Sequence, residues 1–119
     1  MAEIVEAFKN IVGEANVLTK EMDTAYYRSG FRCGFGGAKA VVFPSTLVEQ
    51  WKVLQVAVDA GCAIIMQAAK TGLTGGSSPS GFDYDRDVVI INVSRLRGLH
   101  LLKNGTQALA FPGTTLFEL

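Results

Sequence analysis

The residues best suited to chemistry in this chain are the glycines and hydroxyls of one loop. Gln67-Ala68-Ala69-Lys70-Thr71-Gly72-Leu73-Thr74-Gly75-Gly76-Ser77-Ser78-Pro79 follows the apolar run Ala63-Ile64-Ile65-Met66, which reads as a buried strand. A strand that empties into small residues leaves backbone N–H groups with no ladder or helix to join. Such groups can curl round an anion, because no side chain blocks close approach. Phosphate binding is the chemistry this arrangement offers, and an ordinary flexible surface loop is the plainer alternative.

Two better-known glycine motifs do not fit. No Lys-Ser or Lys-Thr follows Gly76, and Pro79 and Gly81 prevent an immediate helix, so the loop is not a P-loop. Gly34-Phe35-Gly36-Gly37 starts like a dinucleotide fingerprint. However, Lys39 stands at the third glycine position and no apolar strand precedes the run.

Other reactive types read as structure. Asp83, Asp85 and Asp87 alternate as in a calcium loop, but Val88 stands where glycine is needed and Ser94 where the bidentate glutamate belongs. A solvated turn offset by Arg86 is expected, with no metal site. His100 is the only histidine and has no paired nucleophile or ligand set, so a structural role is expected. Tyr26 and Tyr27, beside Arg28, are read as packing residues, with a site-lining role as the alternative. Arg95 and Arg97 lie just past a strand and read as solvated charge, with phosphate contact as the alternative. Cys33 and Cys62 suit reduced, buried thiols better than a disulfide framework. No catalytic residue is assigned.

The elements that must hold the loop follow from periodicity. Ile4, Val5, Phe8, Ile11 and Val12 fall on one helical face, and Gly13 ends that helix. The stretch 17–40 is mixed, and its glycines argue for loop. Val41-Val42-Phe43 reads as a strand halted by Pro44. Thr46 and Glu49 form a capping box, and Gly61 closes the helix they start. Leu47, Trp51, Leu54 and Val58 repeat at helical spacing, which predicts Trp51 in the core. With the strand at 63–66 this gives a βαβ unit, hence a parallel pair with a right-handed crossover. Val88-Val89-Ile90-Ile91 and Ala108-Leu109-Ala110-Phe111 are two further strands.

The bulk numbers bound the class. The 119 residues suit one domain or part of one. Hydrophobic residues are 49% of the chain and mean hydropathy is +0.27, enough for a packed core. Eleven basic residues balance eleven acidic ones, and no basic stripe suggests a nucleic-acid partner. No apolar run approaches the roughly 18 residues that span a bilayer. Glu3 and Glu6 come early with no basic leader, so no signal peptide is expected. A soluble or peripheral intracellular protein is the expectation.

The end of the chain repeats an earlier pattern. Phe111-Pro112-Gly113-Thr114-Thr115-Leu116-Phe117-Glu118 echoes Phe43-Pro44-Ser45-Thr46-Leu47-Val48-Glu49 with one residue inserted. Thr115 and Glu118 make a second capping box, so a helix opens where the sequence stops. One turn is far below the length that sustains itself. The expectation is the N-terminal piece of a longer protein.

Taken in order, several segments resemble the FAD-dependent, quinone-linked respiratory D-lactate dehydrogenases of bacteria. They are Tyr27-Arg28-Ser29-Gly30-Phe31-Arg32, Val41-Val42-Phe43-Pro44, Met66-Gln67-Ala68-Ala69, Thr71-Gly72-Leu73-Thr74, Asp83-Tyr84-Asp85-Arg86-Asp87-Val88-Val89-Ile90-Ile91, Leu99-His100 and Pro112-Gly113-Thr114-Thr115-Leu116. The resemblance implies an α+β fold, the FAD-binding domain of vanillyl-alcohol-oxidase type. Residues 1–70 or so would form its first subdomain, a βαβ unit with a small parallel sheet. Residues 71–119 would give the pyrophosphate loop and the start of the second subdomain.

The resemblance also implies a site. Ala68, Ala69, Lys70, Thr71, Gly72, Gly76 and Ser77 would hold the FAD pyrophosphate mainly through backbone N–H groups, with no metal. Lys70 stands where the enterobacterial enzyme has asparagine, and Gly75 where it has glutamate. Main-chain binding tolerates both, and Lys70 adds positive charge near a diphosphate. The full enzyme would oxidise D-lactate to pyruvate and pass electrons through FAD to quinone, at the cytoplasmic side of the inner membrane. The 119 residues alone are expected to be inactive. The alternatives are a non-catalytic anion- or nucleotide-binding piece, or a structural piece that self-associates through exposed strand edges.

Overall fold

The computed structural model describes residues 2–30 and 35–118. Helix α1 spans Ala2–Val12. Ile4, Phe8 and Val12 recur every four residues and are all buried, with Val5 and Ile11 packed beside them. Gly13 ends the helix with φ 95°, and its N–H donates to the Lys9 carbonyl at 2.9 Å. The stretch expected as loop contains two short elements, strand β1 (Val17–Leu18) and helix α2 (Glu21–Thr24).

Strands β2 (Ala40–Val42), β3 (Ala63–Gln67) and β4 (Val88–Asn92) run parallel, and β1 adds antiparallel to β2. The order is β1-β2-β4-β3. The expected βαβ unit therefore forms with one correction: its strands are not neighbours. β4 enters between them, pairing Ile91 with both Val42 and Met66. All five residues of β4 are buried, the pattern of a parallel strand covered on both faces.

The sheet's two faces alternate as pleating requires. Ala40, Val42, Val89 and Ile91 meet Phe8 and Val12 of α1 and the inner face of helix α3 (Leu47–Asp59). Val41 and Ile90 point the other way, into a smaller cluster with Phe43, Tyr27 and Ile65.

Helix α3 begins as the capping box predicts. Thr46 Oγ1 accepts from the Glu49 N–H at 3.1 Å, and the Glu49 carboxylate accepts from the Ser45 N–H at 2.8 Å, one residue before the usual partner. Its buried face is a correction. Val53 and Ala57 meet the sheet, whereas Trp51 is 62% exposed and Leu47, Leu54 and Val58 are exposed with it. Val53 lies about 200° round the helix from Trp51. The small Ala57 and compact Val53 let the helix axis approach the strands, which a Trp51 on that face would prevent.

Beyond β4 the chain forms a hairpin, β5 (Leu99–Leu102) with β6 (Gln107–Ala110), and ends in a 3-10 turn at Leu116–Glu118. β6 falls where a strand is expected; β5 carries no alternation that would mark it. Gly36 and Gly81 serve a close backbone crossing: the Gly81 N–H donates to the Phe35 carbonyl at 2.9 Å, and a Cβ on Gly36 would lie 2.3 Å from the Gly81 oxygen. Gly34 and Cys33 lie outside the described residues. Cys62 is free and half-buried, and burial, then the nearby Asp87 carboxylate, push its thiol pKa up.

Candidate functional site

β3 and β4 end together, with Gln67 opposite Asn92 in the register. Both side chains are buried, and a buried amide must find partners. Asn92 Nδ2 donates to Gln67 Oε1 at 2.8 Å. Gln67 Nε2 donates to the carbonyls of Tyr27 and Ser77, each at 2.7 Å. Asn92 Oδ1 accepts from the Ser94 N–H at 3.0 Å and from its hydroxyl at 2.6 Å. One amide pair thus ties the loop's entry at Gln67 to its far side at Ser77, and both to the exit of the neighbouring strand.

The loop lies outside the carboxyl ends of parallel strands, where open α/β sheets place ligands. Among the described residues, no hydrogen bond takes the N–H of Thr71, Gly72, Gly76 or Ser77. Lys70 and Gly75 both have left-handed backbone, with φ 49° and 78°. The loop therefore offers uncommitted donors on a bent backbone, the donor set an anion needs.

A cavity of about 750 Å³ opens beside it. Ala68, Ala69 and Thr71 form one wall, and Ser94, Arg97, Gly113, Thr114 and Thr115 the other, with Leu116 and Phe117 at the margin. The second wall is fixed by short bonds. The Gly113 N–H donates to the Leu96 carbonyl at 2.8 Å. The Thr114 hydroxyl donates to the Gly98 carbonyl at 2.9 Å and accepts from the Gly98 N–H at 3.2 Å. Thr114 is thereby committed to holding the turn. Small residues, backbone donors and a guanidinium suit a phosphorylated ligand.

Of the seven residues expected at the site, the structure brings Ala68, Ala69 and Thr71 to this cavity. Gly72, Gly76 and Ser77 lie further along the loop, outside its lining. Lys70 turns its side chain away: its ammonium donates to the Ser29 carbonyl at 3.0 Å and sits 3.7 Å from the Tyr26 ring centroid. Ser94, Arg97, Gly113 and Thr115 are additions. For Gly113 and Thr115 the signal in the sequence was the repeated Phe-Pro pattern, which reads as a cap rather than as a wall. Arg97 was the alternative phosphate contact past the strand, and Ser94 carried no signal.

The remaining candidates fall elsewhere. Tyr27 packs edge-on against Phe43 at 5.0 Å, and Arg95 lies over the same Phe43 ring at 4.8 Å. His100 is exposed on β5, tilted toward Phe111 at 6.0 Å. Asp85 pairs with Arg86 at 3.0 Å in an exposed turn, and that guanidinium lowers its pKa. No group of His, Cys, Asp and Glu among the described residues could hold a metal. Nor is any described helix long and apolar enough to cross a membrane.

The fold defines the class first. Solved structures with the same architecture are vanillyl-alcohol-oxidase-type flavoproteins. Alkyldihydroxyacetonephosphate synthase aligns over all of this chain and 24% of its own, with a TM-score of 0.85 at 17% identity. p-Cresol methylhydroxylase aligns over 96% of this chain and 22% of its own, with a TM-score of 0.74 at 18% identity.

Sequence then narrows the comparison to quinone-dependent D-lactate dehydrogenases, which bears out the resemblance read above. The Escherichia coli enzyme is 58% identical over 109 residues, covering 92% of this chain and 19% of that protein. The Haemophilus influenzae enzyme is 47% identical over 117 residues, covering 98% of this chain and 21% of that protein. The Corynebacterium glutamicum enzyme is 48% identical over 117 residues, covering 98% of this chain and 20% of that protein. This chain spans about a fifth of the length of the curated relatives it matches. No protein-family model matches it.

Proposed function

We propose that this chain is the pyrophosphate-binding part of a quinone-dependent D-lactate dehydrogenase, and that FAD is its cofactor. The observation that carries the reading is the set of uncommitted N–H groups of Thr71, Gly72, Gly76 and Ser77 in the loop that leaves β3, beside a cavity that Thr71 lines opposite Gly113, Thr115 and Arg97. Ala68, Ala69 and Thr71 would meet the diphosphate from one side. The main chain of Lys70, Gly72, Gly76 and Ser77 would close round it. The Gln67–Asn92 pair holds that main chain in place before any ligand arrives, so less ordering entropy opposes binding.

Bound flavin supplies the two-electron chemistry that oxidises D-lactate to pyruvate and delivers electrons to quinone. The residues of this chain bind and orient, and none is assigned to the chemical step. The proposed division keeps residues 1–70 or so as a first subdomain and 71–119 as the loop and the start of a second, although β4 returns to the first sheet. The whole enzyme is proposed to work peripherally at the cytoplasmic side of the bacterial inner membrane.

Titrating FAD with the 119-residue chain tests this reading. A saturable quench of flavin fluorescence, reversed by inorganic pyrophosphate, is expected. No quench at high micromolar protein would overturn binding by the chain alone. A second reading, a structural piece that self-associates, is favoured by the exposed Leu47, Trp51, Leu54 and Val58 on α3. Concentration-dependent sedimentation without any flavin quench would support it.

A further inference from the structure

We propose that the Lys70 side chain is a strut that sets the shape of the loop, and that its charge does not contact the anion directly. The inference rests on the loop reading above and assigns a positioning role within it. Lys70 has φ 49°, a region that residues with a Cβ adopt only where the surroundings hold them. The surroundings here are specific. Its ammonium donates to the Ser29 carbonyl at 3.0 Å and lies 3.7 Å from the centroid of the Tyr26 ring. Three residues earlier in the sequence, Gln67 reaches the same turn through the Tyr27 carbonyl. The loop therefore leans on the 26–29 turn at two points on either side of Ala68 and Ala69.

That turn is itself stiff. Arg28 is buried and donates to Thr24 Oγ1 and to the Gly36 carbonyl, each at 3.0 Å, and to the Glu21 carbonyl at 3.2 Å. The Ser29 hydroxyl donates to the Ala25 carbonyl at 3.1 Å. A cation anchored to such a base can fix the unusual backbone angle at position 70. It can thereby aim the N–H groups of the residues that follow. An ammonium bound to a carbonyl and an aromatic face is also turned away from the cavity, whose lining does not include it.

A double-mutant cycle on the 119-residue chain tests the strut. Lys70→Met keeps the stem and removes the charge; Tyr26→Leu removes the ring; Lys70→Arg restores a cation. With FAD as the ligand, Lys70→Met is expected to weaken binding about threefold to tenfold, and Tyr26→Leu about twofold to fivefold. The double variant is expected to be no weaker than Lys70→Met alone, because both act through one contact. Lys70→Arg is expected to recover most of the affinity. Additive losses, together with a salt dependence reduced by about one phosphate contact in Lys70→Met, would overturn the proposal in favour of a direct charge contact.

The second measurement needs no ligand. Backbone 15N order parameters over residues 69–77 are expected to fall from about 0.85 toward 0.6 in both single variants, while β2 and β4 stay rigid. Unchanged order parameters in Lys70→Met overturn the strut whether or not FAD binds. If the wild-type chain fails to bind FAD while the order parameters fall in the variants, the strut stands and the pyrophosphate reading fails.

Discussion

Gly113 is pressed against Val93: a Cβ placed on Gly113 would lie 2.4 Å from the Val93 carbonyl oxygen and 2.7 Å from that of Ser94. Glycine here is a packing requirement, because its φ is not left-handed. The contact seats the second wall of the cavity against the exit of β4, 20 residues earlier in the chain.

Gly113→Ala is accordingly expected to cost about 2 kcal/mol or more, the range of an overpacked interior. Gly72→Ala is the control. Nothing lies within 4 Å of its would-be Cβ, so its cost should stay within about 0.5 kcal/mol. Urea unfolding of the two variants decides; equal midpoints would mean that the wall is not seated as described.

Gln67→Leu should be among the more damaging substitutions near the site. It strands the Tyr27 and Ser77 carbonyls and the Asn92 amide, at about 3 kcal/mol in total. Asn92→Leu should cost less, since Ser94 can turn to water. The double variant is expected to lose less than the sum of the two, which denaturant midpoints of all four proteins would reveal. Strict additivity would show that the two amides do not act as a pair.

Helix α3 offers a contrast between its faces. Val53→Ala removes buried methyl groups and should cost about 1.5–3 kcal/mol. Trp51→Ser, although it deletes the largest side chain of the helix, should change stability by no more than about 0.5 kcal/mol. A large loss at Trp51 in dilute, monomeric protein would put that residue in the core after all.

These faces show what could and could not be read before folding. The Thr46 cap was legible because its partner is three residues away and the geometry is local. That Val88, Val89, Ile90 and Ile91 form a strand was legible from the apolar run, but the degree of burial was not. The equally apolar Ala63–Met66, read as a buried strand, lies at the sheet edge half-buried with Met66 exposed, while β4 between two strands is buried throughout. The buried face of α3 was not. Its sequence carries two apolar stripes, one of large residues and one with the smaller Val53 and Ala57, and only the distance to the sheet selects between them. The position of β4 between β2 and β3 was also hidden, since each strand alone reads the same in either order. At the site, the loop declared itself through glycine content, whereas its opposite wall depends on a contact between residues 93 and 113 that no local pattern encodes.

Thr46→Ala should lower stability by about 1 kcal/mol, and Thr46→Ser should restore most of it. Helical circular dichroism melts provide the check. No loss in the alanine variant would place the helix start elsewhere.

The Cys62 thiol should ionise above its ordinary range, held neutral first by burial and then by Asp87. The raised value means that the folded form binds the proton more tightly. Its contribution to stability is therefore full below the unfolded thiol pKa and is lost as pH rises through the folded one. Alkylation of Cys62, followed by mass spectrometry of its own peptide, should be slow at pH 8 and accelerate with rising pH. Asp87→Asn should shift that profile to lower pH; a profile matching a free thiol in the native protein would contradict the assignment.

The insertion of β4 between β2 and β3 has a consequence for the order in which the molecule can assemble. β2 and β3 have no bonds to each other, so neither can template its neighbour while β4 is still being synthesised. Until the ribosome has released Asn92, β2 has only the two-residue β1, and β3 has no strand partner at all. The 20-residue excursion between β3 and β4 must close before either side of the sheet gains its main partner. During that interval the apolar segments 40–43 and 63–66 are exposed to chaperones or to each other. Whatever lengthens the interval between the emergence of Gln67 and that of Asn92 should then lower the yield of native protein.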